Sequence, residues 1–100
     1  MAIFVRRQNP PHYSDYRQYK RYLRLDFEYR CAYCTIHEAE FGGHWNYHVD
    51  HFRPKSLFPE LETVYSNLYY ACQRCNILKG DKWPTDGEIS EGQRWIDPCE

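Results

Sequence analysis

Two Cys-x-x-Cys pairs, Cys31/Cys34 and Cys72/Cys75, are separated by 37 residues in this 100-residue chain. A two-residue spacer lets both sulfurs of a pair turn toward one point about 2.3 Å away, the Zn–S distance, so two knuckles can complete a tetrahedral thiolate shell. Four thiolates fill every coordination position, and the expected zinc therefore holds structure and performs no chemistry. A single pair could equally be a thiol redox site; two in one short chain favour the metal. Cys99 is left over and reads as a free thiol, or else as a replacement for one of the four.

Between the knuckles lies His48-Val49-Asp50-His51-Phe52-Arg53-Pro54-Lys55, and around the second are Asn67-Leu68 and Cys75-Asn76-Ile77-Leu78-Lys79. Each piece alone is ordinary, since a lone His is more often structural and an Asn before a strand is usually a turn residue. Their conjunction suits phosphodiester hydrolysis, which needs a base to activate water, a hard cation to neutralise charge, and cationic side chains to position the backbone. An imidazole can be that base near neutral pH. Oxygen donors such as Asp and Asn side chains suit Mg²⁺ or Mn²⁺ and leave the thiolates to zinc. His48, two residues before Asp50, shares its strand face and is either an extra ligand or polar support. Arg53, Lys55, Arg74 and Lys79 are the nearby phosphate candidates.

These residues need elements to hold them. Pro10-Pro11 closes an irregular start, and Ser14 or Asp15 can cap a helix running to about Phe27, with the stripe Tyr16, Tyr19, Leu23, Phe27 on one side. Arg17, Lys20, Arg21 and Arg24 fall on the other side, as a solvated face or a phosphate-tracking ridge. A tight turn follows at Cys31–Cys34, and Gly42-Gly43 breaks the chain. Alternation and aromatic content predict a strand from Trp45 to Phe52 and a second at Leu68–Ala71. A long loop joins them, and a short helix is expected over Arg74–Lys79, stopped by Gly80. Trp83-Pro84 and Trp95-Ile96 read as anchors in a loop-rich tail.

Composition sets the scale. Leu, Ile, Val and Phe number only 19, whereas aromatic residues number 18, ten of them Tyr, which argues for a folded chain with a thin core that needs a staple. No apolar run approaches the ~18 residues of a membrane span, so a reducing cytoplasmic setting is the expectation. The net charge of −1 conceals an asymmetry: residues 1–35 carry seven Lys/Arg against three Asp/Glu, and the remainder six against eleven. A polyanion would dock first on the amino-terminal third.

Cys31-x-x-Cys34, Val49-Asp50-His51-Phe-Arg-Pro-Lys, Asn67-Leu68 and Cys72-x-x-Cys75-Asn76-x-x-Lys79 together resemble the zinc-containing HNH endonucleases, whose core is the ββα-metal fold, over about residues 31–80. The Phe-Arg-Pro-Lys stretch, Trp83-Pro84 and Ile96-Asp97-Pro98 further resemble the subgroup found in bacterial anti-phage and restriction-type systems. The resemblance implies a small α+β nuclease domain over 1–100, with an amino-terminal helix at about 14–27, the core at about 31–80 and a tail at 81–100. It makes His51 the general base, Asp50 a ligand of the catalytic Mg²⁺ or Mn²⁺, and Asn67 the brace of the loop bearing the base. Asn76 takes the place of the final His of the family motif, as a second oxygen ligand. Duplex DNA approached from its minor groove is the implied partner, with Arg17, Arg21 and Arg24 as auxiliary contacts, nicking or double-strand cleavage as the outcome, and a homodimer or targeting protein as further partners. So small a surface favours backbone contacts and weak sequence preference. The competing readings are a zinc-stabilised nucleic-acid or protein binding module without catalysis, and a thiol redox protein.

Overall fold

The computed structural model describes residues 4–79, without the side chain of Lys79. The expectations for Gly80, the tail, Cys99 and the Lys79 side chain lie outside the described residues.

The amino-terminal helix forms where its stripe and cap predict, but its first turn is wound more tightly. A 3-10 turn spans Tyr16–Tyr19 and passes into α1, Lys20–Asp26. Of the two expected caps Asp15 is the one used, its carboxylate accepting from the Arg17 amide at 3.0 Å. Tyr19, Leu23 and Phe27, spaced by four, are all buried on one side. The helix ends where Glu28 and Tyr29 turn left-handed (φ 56° and 64°), with the Tyr29 amide donating back to the Arg24 carbonyl at 2.9 Å.

That reversal delivers the first knuckle. The Thr35 amide donates to the Cys31 carbonyl at 2.9 Å and the Cys31 amide to the Ile36 carbonyl at 3.0 Å, closing a tight turn with Thr35 also left-handed at φ 62°. The chain then bends at Gly42 and Gly43 (φ 83° and 82°), a region glycine enters at little cost, and makes a 3-10 turn over His44–Asn46.

Strand β1 runs Tyr47–His51 and pairs antiparallel with β2, Leu68–Cys72, in the register Tyr47↔Cys72 through His51↔Leu68. The first strand is therefore shorter than the Trp45–Phe52 expected. Its ladder ends at Tyr47 because the partner strand ends at Cys72, and there the chain turns directly into α2, Gln73–Lys79. The loop between the strands contains two 3-10 turns, Pro59–Leu61 and Tyr65–Asn67.

The core is built of rings. β2 is buried along its whole length, Tyr47 stacks on Tyr70 (4.9 Å between centroids) and Phe52 on Tyr69 (5.2 Å). Buried tyrosines must satisfy their hydroxyls. Tyr47 donates to the Ile36 carbonyl at 2.5 Å and Tyr65 to Asp26 at 2.6 Å. Arg6 reaches over the rings of Phe27, Tyr65 and Tyr69 and donates to the carbonyls of Tyr65 and Leu68, pinning the amino-terminal segment to this core. Among the described residues no helix is long and apolar enough to cross a membrane.

Candidate active site and metal centre

The strand pairing brings the two knuckles together. Cys72 ends β2 and Cys75 lies in the first turn of α2, while the first knuckle is tied to β2 by the Ala32 amide, which donates to the Tyr70 carbonyl at 2.8 Å. All four sulfurs lie within 4.8 Å of one another. A tetrahedron with 2.3 Å metal–sulfur bonds has edges of about 3.8 Å; Cys34 and Cys72 are 3.7 Å apart. Cys31 and Cys72 are buried, and burial pushes the Cys31 thiol up from its ordinary pKa. The donor set and its size fit a four-coordinate soft or borderline metal such as zinc.

Beside this cluster a pocket of about 230 Å³ is lined by Tyr16, Val49, Asp50, His51, Pro54, Lys55 and Asn76. Four of the residues singled out in the sequence, Asp50, His51, Lys55 and Asn76, thus share one opening. β1 supplies Asp50 and His51, and the first turns of α2 bring Asn76 opposite.

His51 is oriented by its backbone surroundings. Its Nε2 lies 2.9 Å from the Glu62 carbonyl oxygen, which can only accept, so Nε2 carries the hydrogen and Nδ1 the lone pair. The Tyr16 ring stands edge-on to the imidazole with centroids 4.5 Å apart, and Lys55 Nζ is 3.1 Å from the Tyr16 hydroxyl. Burial lowers the His51 pKa from its ordinary value, which keeps the ring neutral at pH 7, the form a base requires.

Asp50 is only 3% exposed, and its Oδ2 accepts from the Tyr33 hydroxyl at 2.5 Å. Burial, and then the Asp50 charge, raise the Tyr33 pKa far above the usual phenol range, so Tyr33 is the donor. Tyr33 sits between the cysteines of the first knuckle, and the cysteine cluster is thereby linked directly to the carboxylate. A carboxylate offers about four acceptor sites, of which the Tyr33 bond takes one. A carboxylate and an amide oxygen on one pocket form a hard donor set that fits Mg²⁺ or Mn²⁺.

Asn67 does not line this pocket. It is buried behind it, where Oδ1 accepts from the Arg53 amide at 2.9 Å and Nδ2 donates to the Arg53 carbonyl at 3.1 Å, clamping the chain two residues beyond His51. Asn67→Ala leaves a part-buried amide and carbonyl without these partners, and the denaturant midpoint should fall by the equivalent of roughly 1–3 kcal/mol. An unchanged midpoint would remove the clamp from this account.

The other expected contacts are dispersed. His48 is not among the residues lining the pocket; burial, and then the charge of Lys20, lower its pKa. Arg53 lies over the Phe58 ring and Arg74 is exposed on α2. Arg17 is held by both oxygens of Asp15 (3.0 and 2.8 Å), and Arg24 by both oxygens of buried Glu38 (2.6 and 3.0 Å). Arg21 meets the hydroxyls of Tyr13 and Tyr22. Sequence reading missed Tyr16, Tyr33 and Glu62. Only Tyr33 left a signal there, as the aromatic residue inside the knuckle; the Glu62 contact comes from a carbonyl that any residue carries.

A family model described as HNH endonuclease matches residues 31–82, the segment holding the cysteine cluster, both strands, the pocket's Asp50, His51 and Asn76, and the Asn67 clamp. The chain belongs to the HNH endonuclease family. Its two antiparallel strands followed by a helix, with the clustered cysteines, agree with the ββα-metal fold of the family. Septu protein PtuB of Bacillus thuringiensis is 37% identical over 51 residues, which is 51% of this chain and 19% of that protein. The chain thus matches about a fifth of that relative's length. No solved structure matches it.

Proposed function

We propose that this protein is a metal-dependent DNA endonuclease in which His51 is the general base, Asp50 and Asn76 hold one Mg²⁺ or Mn²⁺, and the four cysteines hold a structural zinc. The observation that carries the reading is the His51 tautomer: Nε2–H is committed to the Glu62 carbonyl, and the lone pair of Nδ1 belongs to a ring lining the same pocket as Asp50 and Asn76.

His51 takes the proton of the attacking water at Nδ1 and spreads the charge over a ring whose far hydrogen bond strengthens on protonation. Lys55, on the pocket rim, positions a phosphate oxygen, with Arg53 and Arg74 along the flanking backbone. Tyr33 holds the Asp50 carboxylate and Asn67 holds the loop after His51, so neither must reorganise during reaction. A hard cation held by Asp50 and Asn76 would supply charge neutralisation to the phosphate as the 3′ oxygen departs. The products are then a 5′-phosphate and a 3′-hydroxyl end. The anti-phage or restriction setting, cytoplasmic location and one continuous domain over residues 1–100 belong to the same proposal, as does duplex DNA as substrate.

The test is incubation of supercoiled plasmid with wild-type protein in Mg²⁺, in Mn²⁺ and without added divalent cation. Nicked or linear product only with added cation is expected. No cleavage, together with unchanged Mn²⁺ binding by Asp50→Ala in calorimetry, would favour a binding module without catalysis.

A further inference from the structure

A second opening lies on the outer side of the helical segment. A groove of about 330 Å³ is lined by Arg17, Gln18, Lys20, Arg21, Arg24 and His44, four of them cationic and none acidic. Arg17 and Arg24 meet carboxylates, but Lys20 Nζ donates to the His44 carbonyl at 2.8 Å and Arg21 to tyrosine hydroxyls, neutral partners that leave both charges in place. The Lys20 bond also docks the 3-10 turn His44–Asn46 against α1. On that turn the ring of His44 lies 4.4 Å from that of Trp45 at 33°, and Trp45 is 78% exposed. Core packing therefore does not account for Trp45, whose large apolar face is turned to water beside a cationic groove.

We propose that this groove and the Trp45 face bind an unpaired stretch of polynucleotide, the cations taking consecutive phosphates and the indole stacking on a base. A base in a duplex has both faces covered, so an indole platform selects a strand that is single, frayed or extruded. Arg17 lines the groove and Tyr16 the His51 pocket, so consecutive residues contribute to the two openings. The inference goes beyond the nuclease proposal and does not depend on cleavage.

The test measures fluorescence anisotropy of labelled single-stranded DNA, single-stranded RNA and blunt duplex, of one length and one sequence, across a salt series. His51→Ala protein is used throughout so that no substrate is cut. Single strands of either sugar should bind more tightly than the duplex. Adding Trp45→Ala should weaken single-strand binding about fivefold or more with an unchanged salt slope, because stacking releases no counterions. Adding Arg21→Ala should instead reduce the slope by about 0.7. Both residues are exposed, and circular dichroism checks that each variant is folded. Duplex binding as tight as that of single strands, or a Trp45→Ala variant with unaltered affinity, would overturn the inference, and plasmid cleavage scored separately keeps this outcome distinct from failure of the nuclease proposal.

Discussion

Stripping the proposed zinc from the four-cysteine cluster is expected to unfold the protein. Four-cysteine and related sites in isolated finger peptides bind their metal with roughly 10–16 kcal/mol, the size of a whole domain's stability. Here the cluster joins segments far apart in sequence, since the first knuckle follows α1 and the second spans the junction of β2 and α2. It also holds local conformations that resist forming unaided: Glu28, Tyr29 and Thr35 all sit at positive φ, at about 1–2 kcal/mol each for residues with a Cβ. Among the described residues only Leu23 and Leu68 represent leucine in the buried core, and the polar hydroxyls of its tyrosines gain less from burial than aliphatic carbons would. The measurement is a thermal melt by circular dichroism with and without a tight chelator, alongside metal analysis and a Cys72→Ser variant. Loss of the cooperative transition in both is expected, with about one zinc per chain in the untreated protein. A melt indifferent to the chelator would dismiss the metal as a staple and restore the thiol reading of the two pairs.

His51→Ala should lower plasmid cleavage by roughly 10²- to 10⁴-fold, the range a positioned general base contributes, while zinc content and melting behaviour stay near those of wild type. The separation is expected because His51 is half-buried at the end of β1, outside the aromatic core, and its hydrogen bond is made to a loop carbonyl. His51→Gln is the sharper comparison. A glutamine amide can still donate to the Glu62 carbonyl, so it retains the loop contact without a basic nitrogen. Loss of activity in both variants assigns the base; recovery in His51→Gln would show that the residue serves the loop and that another group activates water. Asp50→Ala distinguishes the roles again, because it removes the proposed ligand and the partner of Tyr33 together, and weakened Mn²⁺ binding should accompany its loss of cleavage.

Much of this organisation is legible from residue types and spacing. The Tyr19, Leu23, Phe27 period predicts the buried side of the first helix, and alternation with aromatic content predicts the two strands. The Cys-x-x-Cys spacing anticipates a cluster whose sulfurs the fold does bring within 4.8 Å. Asp50, His51 and Asn76 could be grouped before any fold was known because their order around the cysteine pairs resembles the HNH motif, and they do line one pocket. Periodicity, however, reports which side of an element is buried and says nothing of what covers it. Arg24 illustrates the difference: as one of a row of cations it reads as a phosphate contact, yet tertiary folding places it on buried Glu38, fourteen residues away. Trp45 has strand-like neighbours but stands exposed on a turn, because β2 ends opposite Tyr47 and no ladder partner remains.

The sequence by itself thus determined the paired cysteine knuckles, the order of the elements and the side of the first helix that faces inward, all properties of neighbouring residues and short-range periods. Only the tertiary structure decided the orientation of the site: which imidazole nitrogen carries the proton, what holds Asp50, and which cations are already paired. Those depend on the Glu62 carbonyl, the Tyr33 hydroxyl and the Glu38 carboxylate arriving within hydrogen-bond distance from distant parts of the chain. Their arrival follows from strand register and long-range closure, and a hydrogen bond fades within an ångström, so local sequence cues are too coarse to place them.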